Sequence, residues 1–363
     1  MRQALRRFAV NQPSRQTGRN YTFPPPVRGL VLNESLVAAK PGGALILDNW
    51  FPTQKGARLR GGSQQVATVG ATPAVSLMNY STATRERLFA ASLTSVFDIT
   101  DVTDAATPPT ADITGQTDGY YSFQQFATVG GEFLYITNGF NAPQLYDGAS
   151  WTAITASSTP SLMGTGLDTT KLIHVWAFKN RLFFIERGTM NAWYLPVDSI
   201  GGMLKQVSLA GVFQRGGFLL SGATWSLDTG SGLDDQCVFI SSEGEVAIFQ
   251  GTDPSNAATW AIKGRYDITP PMGRRCLMSA GGDLLIGTRD GIVPLSEVLT
   301  KDSAALTLSA VTRNIEPAWK FDATTRDAQP WEILKWPAEN MAIVSIPPVP
   351  GLTPYCYVVN LQT

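Results

Sequence analysis

An apolar strand, a Gly- or Asn-marked turn and a second strand recur through most of this 363-residue chain. The first strand of each copy reads "RLFAAS" from Arg87, "EFLYIT" from Glu132, "RLFFIE" from Arg181, "CVFISS" from Cys237, "DLLIGT" from Asp283 and "MAIVSI" from Met341. These starts lie 45, 49, 56, 46 and 58 residues apart. Partner strands follow as "SVFDIT", "PQLYDG", "NAWYLP", "EVAIFQ", "GIVPLS" and "YCYVVN", and a further strand precedes most copies, as in "AVSLMNY", "YYSFQQFA", "LIHVWAFK" and "RRCLMSA". Three to four short strands per unit of roughly 40–50 residues is the period of a propeller blade. A two-sheet sandwich needs no repeat of that length. A parallel α/β sheet needs helical segments between strands, and no alternating helical pattern appears. The expected fold is all-β: a β-propeller of about six blades over residues 43–363, preceded by an extended, basic arm over residues 1–42.

The composition agrees with many short strands and tight turns. Hydrophobic residues make up 44% and charged residues 16%, with 34 Gly and 23 Pro. No run approaches the roughly 18 apolar residues of a membrane span. "ALRRFAVNQPSRQTGRN" lacks the apolar h-region of a secretory leader. Cys237, Cys276 and Cys356 are far apart with no CxxC pattern, which reads as buried free thiols in a reducing compartment.

Charge is distributed unevenly. Residues 1–60 hold ten Lys/Arg against Glu34 and Asp48, leaving 18 basic and 27 acidic residues in the rest. A basic arm on a mildly acidic body suits docking to an acidic surface or to nucleic acid. Arg2, Arg6, Arg7, Arg15, Arg19 and Arg28 are the candidate docking residues. "FPPPVRG" must be extended, because proline lacks the amide donor a helix interior needs. "LNESLVAAKPGG" predicts one short helix capped by Asn33 and stopped near Gly42.

The last unit ends at "PYCYVVNLQT", which reads as one strand short of a closed blade. The hairpin within residues 44–62, "ALILDNWF" and "ARLRGGS", is the expected partner, the alternative being a shortened chain. On this reading Trp50 and Phe51 bury against a blade and Pro52 ends the strand. Gln54-Lys55-Gly56 turns the chain, and Arg58 and Arg60 share a sheet face at the junction of arm and propeller.

Motifs that carry chemistry are sparse. His174, the one histidine, shares its alternation with Leu172 and Trp176 and reads as an inter-blade residue rather than a base. Zinc has no ligand set, and no G-x-S-x-G elbow or P-loop occurs. Asp228, Asp234 and Asp235 in "LDTGSGLDD" lie in a Gly-rich loop that lacks the D-x-[DN]-x-[DN]-G calcium pattern. Aromatic segments such as "DGYYSFQQF" suit inter-blade packing more than sugar or base stacking. No catalytic residue, metal or cofactor is assigned, and a non-enzyme is the expected class.

Two segments carry a resemblance. "PVRGLVLNESLVAAKPGGALILDNWFPTQKGARLRGG" (26–62) and "VFISSEGEVAIFQGTDPSNAATWAIKGRYDITPPMGRRC" (238–276) together resemble the tail nozzle proteins of short-tailed bacteriophages, a group that includes packaged-DNA stabilisation factors. The resemblance implies a virion structural protein, made in the host cytoplasm and carried in the tail. It would be a homo-oligomer, a homohexameric ring below the portal and adaptor (connector) rings. That ring would prolong the DNA channel, help retain packaged dsDNA through non-specific contact, and carry fibres or spikes. The family has no catalytic residues to transfer, and this chain is shorter than many relatives. An acidic lumen would let DNA slide, whereas basic rings would grip it. The alternatives are a propeller glycosidase or glycan-binding protein of the depolymerase type, and a peptide-binding propeller scaffold.

Overall fold

A computed structural model describes residues 22, 24–35, 37–228, 233–327, 330–352 and 355–361. Six sheets stand in a ring, the arrangement of a six-blade β-propeller. The first strand of each blade lines the axis: Ser76–Ser81, Ser122–Thr128, Leu172–Phe178, Leu219–Asp228, Leu277–Ala280 and Glu332–Trp336. The apolar strands read from the sequence form the second position, at Glu86–Ala91, Gly131–Thr137, Arg181–Glu186, Leu233–Ser241, Asp283–Thr288 and Met341–Ser345.

Those second strands share an apolar central run because both faces are covered. In Arg181–Glu186, Leu182 and Phe184 join the cluster shared with blade two. Phe183 and Ile185 join the cluster shared with blade four. Val238 and Ile240 likewise meet blade five, while Cys237 and Phe239 meet blade three. Alternation along a strand thus sends successive residues into successive seams.

Blades one, two and four have four strands each. Blade three gains a fifth, Leu162–Gly164, running parallel to its Gly202–Ser208 strand. Blade five has three strands, and the chain then turns helical. Val311 N–H donates to Ile292 O at 2.9 Å, and Ile292 N–H donates to the Thr312 hydroxyl at 3.1 Å, which covers the blade's outer edge without a fourth strand. Helix Glu316–Thr325 places Trp319 between blades five and six, its indole N–H on Thr288 O at 2.9 Å and its ring 5.1 Å from that of Trp331.

Strands Trp50–Thr53 and Gly56–Leu59 form the expected hairpin. It lies beside Cys356–Asn360 of blade six, and the Asn360 amide donates to Pro52 O at 3.2 Å, yet its ladder bonds run within the hairpin. Phe51 meets Trp336 edge-on at 5.7 Å. Trp50 departs from the expectation of burial: it is 40% exposed. Neighbouring strand residues face opposite sides, so only one of the two aromatics can meet the blade.

Among the described residues of "LNESLVAAKPGG" the expected short helix does not appear. The described residues there make turns, and Leu30 bridges Ala44 in parallel. Glu34 explains the difference: its carboxylate takes the Arg28 guanidinium and the Lys40 amide, which folds the segment on itself. The Asn33 amide donates to Arg313 O and Leu32 N–H to Asn314 O, fastening this stretch to the helical part of the propeller.

Candidate functional site

The axial strands of blades two to six line an open funnel of about 390 Å³. Its walls bring together Ser122, His174, Gly222, Arg274, Arg275 and Glu332. These residues come from five blades, and sequence spacing gives no hint that they meet.

His174 sits between neighbouring axial strands. Its Nε2 lies 2.7 Å from Gly222 O and its Nδ1 2.9 Å from Ser122 Oγ. A carbonyl only accepts, so Nε2 carries the proton and Nδ1 accepts from the serine hydroxyl. Ser122 Oγ in turn accepts from Val175 N–H at 3.3 Å. Burial, with the nearby Arg274 charge adding to it, pulls the imidazole down to about 4. The expected inter-blade role is what the ring performs. Gly222 is required beside it, because a Cβ there would lie 2.5 Å from the Trp176 ring.

Arg275 is a clamp. Its guanidinium donates to Ser76 Oγ at 2.7 Å, Tyr121 O at 3.0 Å and Val75 O at 3.0 Å, and pairs with Glu332 at 3.0 Å. Burial raises the Glu332 carboxyl above its ordinary range, opposed by Arg275. Arg274 is bound differently. One terminal nitrogen donates to Tyr120 O; its guanidinium lies 4.2 Å from the Tyr120 ring centroid, where that of Arg275 lies at 3.9 Å, and the Nε of both arginines is buried without an acceptor. Among the described residues it makes no ion pair. Burial lowers it to about 10. Tyr120 is itself buried, pushed up to about 12, and its hydroxyl reaches Trp331 O at 3.4 Å. Arg274, Arg275, Tyr120 and Glu332 were missed at the level of sequence. The sole signal was two adjacent arginines entering an apolar strand in "GRRCLMSA".

The residues singled out from sequence lie elsewhere. Arg2, Arg6, Arg7, Arg15 and Arg19 fall outside the described residues. Arg28 is bound to Glu34 at 2.6 Å, and that bond, helped by the Lys40 amide, lowers the Glu34 carboxyl to about 2. Arg58 pairs with Glu339 at 2.7 Å and lies over the Phe51 ring, while Arg60 Nε donates to Asn49 Oδ1 at 3.0 Å. Asp235 accepts from Ser226 at 2.7 Å and pairs with Lys179 at 3.1 Å, which draws its carboxyl down. Asp228 and Asp234 flank residues 229–232, which lie outside the described set. No group of three metal-ligating side chains occurs among the described residues. All three cysteines are free; Cys237 and Cys276 are buried as expected, but Cys356 is exposed because its strand lies outermost in blade six.

No protein family and no curated protein matches the sequence. Among solved structures, the chain is similar to BBS1N, crystallised in complex with ARL6DN, at 8% identity and a TM-score of 0.36, over 62% of this chain and 64% of that one. It is also similar to a putative 6-phosphogluconolactonase from Bacteroides uniformis, at 16% identity and a TM-score of 0.37, over 66% of this chain and 70% of that one. This chain therefore spans less than two thirds of the first of these. Overlaps this loose carry nothing about activity, and the propeller is established by the ring of sheets itself.

Proposed function

We propose that the chain is a structural subunit of a phage tail, a nozzle protein that assembles into a ring around the DNA path below the portal and adaptor. The observation that carries this reading is the hairpin's outer face. Trp50 and Leu59 are direct cross-strand partners and so share a face. They are 40% and 66% exposed, and Leu45 and Ile46 just before them are 49% and 77% exposed. A cluster of large apolar side chains at a sheet edge suits a partner surface rather than a free monomer.

The two resemblance segments fall where this reading needs structure. Residues 26–62 make the folded end of the arm and the hairpin, and residues 238–276 run from blade four to the arginines on the axis. The DNA path would lie between subunits, because each propeller's own axis is bridged by Arg275, Tyr120 and His174. The glycosidase alternative needs two carboxylates facing one bond. Among the described residues lining the funnel there is one, Glu332, and Arg275 holds it.

Electron microscopy of the native assembly tests the proposal. A six-fold ring with an open axial channel supports it, and Leu59→Asp should leave the propeller folded while preventing ring formation. Isolated propellers in the native source would overturn it.

A further inference from the structure

We propose that the central funnel binds a small ligand through an oxyanion, a carboxylate or a phosphate, anchored on the Arg274 guanidinium. This inference stands apart from the tail proposal and rests on the funnel alone.

The charge pattern comes first. The titratable groups on the cavity wall are His174, Arg274, Arg275 and Glu332. Arg275 and Glu332 neutralise each other at 3.0 Å. The imidazole is neutral, since its Nδ1 accepts from Ser122. Arg274 remains, a guanidinium facing the cavity with no carboxylate partner among the described residues. The Asp118 carboxylate acts on it through space without forming an ion pair, so burial of this cation is only partly offset.

The bonding pattern agrees. Closing the ring is the work of Arg275, which spends its terminal nitrogens on Ser76, Val75, Tyr121 and Glu332. Arg274 adds a single carbonyl contact, to Tyr120; both guanidiniums lie over that ring and both Nε atoms lack an acceptor, but only Arg274 leaves a terminal nitrogen without a partner among the described residues. A guanidinium presents a planar fork that matches a carboxylate or phosphate. The ring contact and the Tyr120 carbonyl hold that guanidinium in place in advance. The space also fits: about 390 Å³ holds a compact molecule of monosaccharide size. Gln124 and Thr224 add polar atoms to the wall, and Val175, Leu277 and Leu284 add apolar ones.

The chain contains one histidine, and it lines this cavity. Protein labelled with ¹⁵N-histidine therefore shows a single imidazole, a reporter inside the proposed site. Inorganic phosphate and glucuronate are titrated separately against the full chain, with chloride at matched ionic strength as control. The expected result is a saturable shift of the His174 signal by at least one of the two, with a dissociation constant of about 1 mM or tighter. Which one binds tells a phosphate from a carboxylate ligand. Arg274→Gln should weaken that binding at least about tenfold. If neither anion gives a saturable shift up to roughly 20 mM, the proposal is overturned whether or not the variant folds. A folded Arg274→Gln protein that binds as tightly as the wild type would overturn it as well.

Discussion

At the scale of single residues, burial decides more than residue type. His174 binds its proton less readily in the folded chain than in the unfolded one, at about 4 against an ordinary 6.5. The unfolded state therefore takes up protons first as pH falls. The stabilisation is complete above about pH 6.5 and is lost progressively down to about pH 4, for a total of roughly 3 kcal/mol. Urea unfolding of wild type and His174→Gln across that window should show the difference between them shrinking as the pH drops. A constant difference would mean that the ring is not held neutral. Trp50 makes the opposite point. It is 40% exposed, so Trp50→Ala should cost the isolated chain about 1 kcal/mol or less. Trp331→Ala, at a fully buried ring, should cost roughly 3–5 kcal/mol in the same melting experiment.

At the scale of elements, the hairpin is fastened to blade six by contacts of unequal worth. Phe51 and Trp336 meet edge-on, 86° between ring planes, and a double-mutant cycle should return a coupling of about 0.5–1.5 kcal/mol. Arg58 and Glu339 are both substantially exposed, so their cycle should give under about 1 kcal/mol and shrink with added salt. A larger value for the ion pair than for the aromatic pair would reverse this ranking. These elements also mark what a sequence reveals. The second strand of every blade was legible, because burial on both faces leaves a continuous apolar run such as "RLFFIE". The axial strands Leu219–Asp228 and Glu332–Trp336 were not, since small and polar residues break their pattern where they line the funnel. Outer strands such as Gly202–Ser208 pack one face only and read as polar loops. The helical stretch after Pro294 was missed because its helices are short, and the longest has five polar or charged residues among ten. The funnel was the least legible part: Arg275 and Ser76 are 199 residues apart, and only ring closure brings them together.

At the scale of the whole molecule, the ring is not uniform. Five seams between consecutive blades each hold an apolar cluster, from blades one and two round to blades five and six. Among the described residues none spans blades six and one; the exposed side of blade one is instead covered by Val69 and Ala67. What crosses this seam is Arg275, joined to Val75 and Ser76 on one side and to Glu332 on the other. The seam that closes the propeller is therefore polar where the others are apolar, and its strength rests on one guanidinium. Arg275→Ala should cost roughly 3–5 kcal/mol at neutral pH, since it leaves Glu332 buried and unpaired. The pH dependence follows from the carboxyl. Burial already raises Glu332, so the fold favours its protonated form, and stability from this group falls as pH rises through the folded value. Removing Arg275 raises that value further and deepens the fall. The destabilisation should therefore be smaller near about pH 4.5 than near about pH 7.5, and Arg275→Ala combined with Glu332→Gln should recover part of the loss. Hydrogen exchange in the variant should speed up first in Ser76–Ser81 and Glu332–Trp336, while Leu172–Phe178, with apolar clusters on both sides, stays protected. Equal acceleration in all axial strands would mean that the ring opens cooperatively and that the polar seam is no weaker than the rest.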